Sequence, residues 1–212
     1  MQKFNYFKTI ELKYKYQLSK KKPIVIRFDG RNITKSNTYD LSKKNAFTSA
    51  LLSATKIIVD KFENCIAYVA IDEVNFIFSD PKEFFDMYTD NSDSLQYCLS
   101  IFQQHFLNIF WKEVPDVFFG VSIFNIPNDK IDSYLSYRKS SAYNVAVTYF
   151  AKRNIPKERY KNKKQSDILD CIKELGKYNQ FVAYTHFSQG TIFTKESIEQ
   201  SDENDEFVII DF

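Results

Sequence analysis

The sequence predicts an α+β fold: a βαββαβ core built on an antiparallel sheet, with additional helices. Three observations carry this. Short apolar runs recur at Ile24–Phe28, Cys65–Ile71, Val74–Phe78 and Val117–Phe124, each of strand length. Longer stretches with apolar residues at helical spacing separate them at 42–62 and 94–111. Only a two-residue break, Asp72-Glu73, parts the second run from the third, which makes that pair a hairpin.

Taken in order, residues 1–18 mix Lys with Tyr, Phe and Leu and read as a short helix packed on the body. Pro23 opens the first strand. Its alternation sets Val25, Arg27 and Asp29 on one face and Ile24, Ile26 and Phe28 on the other, and Gly30 ends it. Residues 32–41 are polar and loop-like. Ser42 is placed to cap a helix running to Phe62, along which Phe47, Leu51, Ala54 and Ile58 form a stripe. The nearly all-apolar run Cys65–Ile71 fits a strand covered on both faces. After a loop at 91–93, Ser94 opens a helix to Trp111 whose stripe includes His105, which fits a core or interface histidine. Gly120 in the fourth strand predicts a bulge or a close backbone approach. A long helix follows over 128–150, then a basic stretch, then a helix over 166–175 stopped by Gly176. Short strands are expected at Phe181–Tyr184 and Thr191–Thr194, around a turn at Gly190.

With 212 residues, 44% of them hydrophobic, the chain can bury a sizeable core. No Pro-rich or Gly/Ser-rich linker divides it. The expected organisation is a catalytic core over 1–125, and a helical, basic extension over 126–212 packed on it in one continuous domain. The net charge of +2 does not demand a nucleic-acid partner. Its distribution is more telling, with Lys152, Arg153, Lys157, Arg159 and Lys161 crowded together and acids gathered from Glu196 to Asp211. A basic face of this kind suits RNA, and the same charges also fit solvated helix faces. Cys65, Cys98 and Cys171 are widely spaced, and only His105 and His186 accompany them, which argues against zinc. Sparse cysteines and no signal peptide predict a cytoplasmic protein. No apolar run approaches the roughly 20 residues of a membrane helix.

The element order is the split βαβ, ferredoxin-like pattern, and it is also the core order of the palm of polymerases and nucleotide cyclases. In a palm the first strand lies beside the central hairpin, so Asp29 and Asp72 meet at one edge of the sheet. A lone Asp-Gly after a strand is most often a turn, and so is an Asp-Glu between strands. Their joint placement in a palm order is the specific signal. Mg²⁺ takes hard oxygen ligands, which two carboxylates and the Gly30 carbonyl can supply. Two such ions would activate an attacking hydroxyl and neutralise the leaving group, as nucleotidyl transfer requires. Arg27 shares the face of Asp29 and can support a carboxylate or phosphate. Glu73 can orient the hairpin or assist a ligand.

At these residues the chain resembles the tRNA-histidine guanylyltransferase superfamily, the 3′–5′ RNA polymerases. The family's Arg-x-Asp-Gly-Arg is Arg27-Phe28-Asp29-Gly30-Arg31, and its Ala-Tyr-x-x-Ser-Asp-Glu is Ala67-Tyr68-Val69-Ala70-Ile71-Asp72-Glu73. Its Tyr-Leu-x-Trp-Arg-Gln is matched by Tyr134-Leu135-Ser136-Tyr137-Arg138-Lys139, and its Lys-Gly-Thr in part by Gln189-Gly190-Thr191. The resemblance implies two Mg²⁺ ions at Asp29, Gly30 and Asp72, with ATP and GTP as substrates. It implies nucleotide addition to the 5′ end of tRNA or a related RNA, activated by ATP or carrying a triphosphate, and a homotetramer. A family lysine on the triphosphate falls at Lys43 or Lys44. Two departures stand out. Ile71 replaces the family serine, and the His-Ile-Asn-Asn motif of enzymes dedicated to histidine tRNA is Ser140-Ser141-Ala142-Tyr143-Asn144, which leaves Asn144 as the polar candidate for a phosphate. The pattern points to 5′-end repair over histidine-tRNA guanylylation. A palm-fold nucleotide cyclase or signal synthase, and a catalytically weak RNA-binding homologue, are the alternatives.

Overall fold

A computed structural model describes residues 6–7, 18–31, 41–88, 95–185 and 190–200. Six strands form one sheet: β1 (Ile24–Gly30), β2 (Cys65–Ala70), β3 (Glu73–Phe78), β4 (Phe119–Asn125), β5 (Thr191–Phe193) and β6 (Ile198–Gln200). Their order is β4-β1-β3-β2-β5-β6. Every neighbouring pair is antiparallel. The four strands of the βαββαβ core thus stand in the ferredoxin-like arrangement, with β1 and β3 at its centre.

Among the described residues, these α-helices accompany the sheet: α1 (Leu41–Val59), α2 (Pro81–Tyr88), α3 (Leu95–Phe110), α4 (Ile131–Asn154), α5 (Lys157–Tyr160), α6 (Gln165–Glu174) and α7 (Tyr178–Thr185). The β1 alternation reads out as two cores. Ile24, Ile26 and Phe28 join Phe76 and Phe78 under α1 and α3, against Leu51, Ala54, Ile58, Phe102 and Phe106. Rings interlock there, with Phe28 and Phe106 centroids at 4.5 Å and Phe76 and Phe102 at 5.2 Å in T-shaped contact. Val25 turns to the opposite face and meets Ile77, Phe124, Tyr134 and Tyr137, so the start of α4 covers that side. The far half of α4 builds a separate core with α6 and α7 through Val147, Phe150, Leu169, Ile172 and Phe181.

Several expectations are corrected. The β-hairpin turns at Ile71-Asp72, and Glu73 is already the first residue of β3, opposite Ala70. Helix α1 begins at Leu41, so Ser42 lies inside its first turn. Helix α2 was not expected; the Asp80 carboxylate accepts the Lys82 N–H at 2.9 Å, and Pro81 occupies the first helical position. Phe181–Tyr184 is helical, within α7. Gly176, at φ +66°, ends α6 with the Lys177 N–H on the Ile172 carbonyl at 3.0 Å, and the chain re-enters a helix at once. Phe181 then packs on Phe150 at 5.4 Å and Tyr143 at 5.6 Å. The strand expected at Thr191–Thr194 does form, as β5, which pairs with β2 and is joined in turn by β6. The expected helix at 1–18, the loops at 32–40 and 91–93, and the Ser94 cap lie outside the described residues, apart from Tyr6 and Phe7.

Gly190 and Tyr68, which belong to separate motifs, meet in space. Gly190 has φ +92°, and a Cβ there would stand 2.5 Å from the Tyr68 ring. Gly190→Ala is therefore expected to lower stability by about 2–3 kcal/mol. Gly176→Ala has an unfavourable φ but nothing within 4 Å, so about 1 kcal/mol is expected. Urea midpoints of the two variants measure the difference, and equal losses would contradict the Tyr68 contact.

Candidate active site

The edge where β1 and the β2–β3 hairpin end carries three carboxylates. Asp29 lies directly opposite Glu73 in the β1–β3 pairing. The Gly30 N–H donates to the Asp72 carbonyl at 2.9 Å, which ties the hairpin turn to the end of β1. Asp29, Gly30, Asp72 and Glu73 are thus brought together by backbone pairing alone. Ile71, in the turn, has φ +58°, a region that costs a β-branched residue on the order of 1–3 kcal/mol. Its side chain is partly buried against the cluster of Tyr68, Ala70 and Ala142.

The three carboxylates do not have the same surroundings. Glu73 is engaged on both oxygens. Its Oε1 accepts from Arg138 Nε at 2.8 Å and from Asn75 Nδ2 at 2.6 Å, and its Oε2 accepts from Arg138 Nη2. Arg138 comes from α4 and is 7% exposed. Asn75 is fully buried in β3, and its Oδ1 accepts the Tyr134 hydroxyl at 2.7 Å. Glu73 is thereby an anchor for the hairpin, held by a fork-to-fork pair that fixes geometry as well as charge. Asn75, Tyr134 and Arg138 carry no site signal of their own in the sequence, although Tyr134 and Arg138 lie inside the Tyr134–Lys139 motif.

Asp72 and Asp29 lack such a clamp. Burial, reinforced by the charges of Asp29 and Glu73, pushes the Asp72 carboxyl up to about 7. Burial and then Glu73 also raise Asp29, while Arg27, Arg138 and Arg31 pull it down. Arg27 sits between, 3.9 Å from the Asp29 carboxylate and 4.0 Å from that of Glu73. Crowded carboxylates whose mutual repulsion is relieved by positive charge are a donor set suited to a hard divalent cation. Among the described residues, no group of three or more His, Cys, Asp or Glu side chains is arranged to hold a metal ion unaided.

The other expected residues are spread more widely. Arg31 is exposed at the same edge, and its guanidinium nitrogen lies 3.1 Å from where a Cβ on Gly120 would be. Gly120 forms no bulge, pairing in regular register with Asp29, and the group that approaches it is the Arg31 side chain. Lys43 and Lys44 are in the first turn of α1, and their side chains lie outside the described residues. Asn144 is 3% exposed within α4, about 9 Å along the helix from Arg138. Lys152 begins the basic cluster about 21 Å from Arg138 along the same helix. Lys152, Arg153, Lys157 and Lys161 are exposed. Arg159 is engaged with its own fold, through Cys171 Sγ at 3.3 Å and Glu174 at 2.8 Å. His105 bridges the Tyr88 hydroxyl at 2.9 Å and Lys61 at 2.7 Å, with Tyr88 packed in the α1–α3 core.

Two consequences can be measured. The folded protein holds the Asp72 proton to about pH 7, whereas an unfolded aspartate releases it near 4. The folded state then binds more protons between those values, so this carboxylate costs stability as pH rises from 4 to 7. In metal-free buffer, Asp72→Asn is expected to stabilise the protein by on the order of 2 kcal/mol at pH 8, with the gain vanishing below pH 4. Urea unfolding across pH checks it. Arg138→Met strands a buried carboxylate and is expected to cost about 3 kcal/mol, much of it recovered by adding Glu73→Gln; additive losses in the double-mutant cycle would contradict the pairing.

In comparison with known proteins, the chain matches the family model for tRNAHis guanylyltransferase (Thg1) over residues 4–171. It is similar in structure to a bacterial tRNA(His) guanylyltransferase (Thg1)-like protein in complex with ATP, at 17% identity and a TM-score of 0.59, covering 92% of this chain and 91% of that one. The corresponding structure in complex with GTP gives 16% identity and a TM-score of 0.52, over 89% and 83% of the two chains. The tRNA(His) guanylyltransferase of Saccharomyces cerevisiae gives 17% identity and a TM-score of 0.59, over 92% and 95%. No curated protein matches the chain in sequence. At these identities the structural likeness establishes the palm-type fold. The family match spans most of the sequence and includes all three carboxylates, and the chain belongs to the tRNAHis guanylyltransferase (Thg1) family.

Proposed function

We propose that this protein is a 3′–5′ nucleotidyltransferase that adds nucleotides to the 5′ end of tRNA or a related RNA, as end repair. The observation that carries the reading is the meeting of Asp29 and Asp72 at one sheet edge, with Glu73 neutralised beside them by Arg138. Asp29, Asp72 and the Gly30 carbonyl would hold two Mg²⁺ ions, completed by triphosphate oxygens and water. Held there, the ions would activate the attacking hydroxyl and neutralise charge on the leaving group.

The residues do the rest. Arg27 and Arg31 offset phosphate charge around Asp29. Lys43 or Lys44, at the start of α1, adds a cation beside a helix N-terminus, where anions are favoured. The 5′-monophosphate attacks the α-phosphorus of ATP and becomes adenylylated as pyrophosphate leaves, or the RNA arrives with a triphosphate. The 3′-hydroxyl of an incoming GTP or other nucleotide then attacks the 5′-phosphorus, and AMP or pyrophosphate leaves. Lys152, Arg153, Lys157 and Lys161 track the RNA backbone about 20 Å away. Arg159 supports that surface through Cys171 and Glu174.

Two features support repair over histidine-tRNA guanylylation. The His-Ile-Asn-Asn motif is absent, and in the stretch that replaces it Ser140, Ala142 and Asn144 are buried. The reading includes a homotetramer in the cytoplasm. Among the described residues no helix is long and apolar enough to cross a membrane.

The test offers ATP, GTP and Mg²⁺ with intact and 5′-truncated tRNAs. Extension of truncated tRNA is expected, lost by at least about 1000-fold in Asp29→Asn and Asp72→Asn, which retain the fold. Extension of intact histidine tRNA alone would replace repair with guanylylation. Cyclic or oligonucleotide products from triphosphates alone would favour a cyclase or signal synthase. RNA binding without Mg²⁺ or product would leave a binding protein.

A further inference from the structure

Phe118 is the most exposed of the large hydrophobic side chains among the described residues, at 64%. It stands one residue before β4, where its carbonyl accepts the Arg31 N–H at 2.8 Å. That bond carries the β1–β4 ladder one step past Gly30 opposite Phe119. Asp29 faces Gly120 in the same ladder, so Phe118 is its diagonal neighbour, about 7–8 Å away and within reach of a long or planar group. Phe119 turns into the aromatic core, whereas Phe118 stays in solvent beside the carboxylates.

The ring is braced from behind. Trp111 donates its indole N–H to the Val117 carbonyl at 2.8 Å, and its ring meets Phe118 edge-on at 6.3 Å. Asp116, at φ +64°, turns the chain into this position. Arg31 lies across Gly120 at the same strand end, in space that a side chain at 120 would fill. An exposed, braced aromatic ring and a planar cation therefore flank a cluster of carboxylates, which is the chemistry that receives a nucleobase beside its phosphates.

We propose that Phe118 is the stacking platform for the purine base of the nucleoside triphosphate whose phosphates lie at Asp29 and Asp72, with Arg31 bounding the same pocket. This rests on the nucleotidyl-transfer reading for the position of the phosphates. A ribose spans the gap between the carboxylate edge and the ring. The charged neighbours Asp29 and Arg31 favour a nucleotide over a second copy of the chain, which would bury them with the ring.

Trp111 is the single tryptophan of the chain, so its emission reports on this contact. Excited at 295 nm to spare the nucleotide, the wild-type protein with Mg²⁺ is expected to be quenched by GTP or ATP and not by tripolyphosphate. Phe118→Ala is expected to lose the quench and to bind GTP about tenfold more weakly by equilibrium dialysis, and Phe118→Tyr to restore both. Equal GTP affinity in Phe118→Ala overturns the proposal, and so does a variant that changes only subunit association in sedimentation. Loss of quench and affinity in a protein that extends no RNA sustains the platform while the transferase reading fails. Normal RNA extension with an unchanged KM for GTP in Phe118→Ala removes the platform and leaves that reading intact.

Discussion

Arg138 reaches from α4 to the head of β3 and clamps Glu73, and the organisation of the whole sheet edge follows from that pair. Three carboxylates at one end of a sheet repel one another, and burial raises the cost. Neutralising one of them with a guanidinium that is itself buried makes the arrangement tolerable. It also sets Glu73 apart from Asp29 and Asp72, the two carboxylates we propose for the chemistry. Such a pair contributes little net stability against an apolar substitute, but it specifies geometry, and breaking it from one side leaves a charge stranded. Asn75 and Tyr134 extend the clamp into the core, so the same α4 turn that covers the sheet also sets the hairpin.

The backbone supplies the rest of the placement. The β1–β3 register puts Asp29 against Glu73, and the Gly30 to Asp72 hydrogen bond closes the turn onto β1. Because side chains alternate along a strand, a one-residue slip would send Asp29 into the ring-packed core and Phe28 into solvent. Phe28 touches the rings of Phe76, Phe102, Phe106 and Phe119, so that slip is strongly disfavoured. The aromatic core under α1 and α3 is in this sense a positional device for the carboxylates on the opposite side of the strand.

Much of this was legible in the residues. Apolar runs and helical spacing located β1 to β4, α1, α3 and α4, and the strand order then joined Asp29 to Asp72. Asp80-Pro81 is a capping signal for α2 that lies in the sequence itself. The Phe181-Val182-Ala183-Tyr184 run looks like a strand locally, and tertiary packing against Phe150 and Tyr143 makes it a helix instead. The partner of Glu73 was hidden for a different reason. Arg138 is 65 residues away on a helix, and a sequence does not announce which of 29 Lys and Arg residues will be buried. The pairing of Tyr68 with Gly190 was hidden in the same way, since each belongs to a different motif and only the β2–β5 contact joins them.

We propose a division of labour in which Glu73 holds the hairpin, paired with Arg138, and Asp29 and Asp72 gather cations. The most direct measurement is anomalous scattering from crystals grown with Mn²⁺ and GTP. Manganese is expected bound by Asp29 and Asp72, with Glu73 still paired to Arg138. Manganese ligated by Glu73 with Arg138 displaced, or bound away from Asp29 and Asp72, would contradict it.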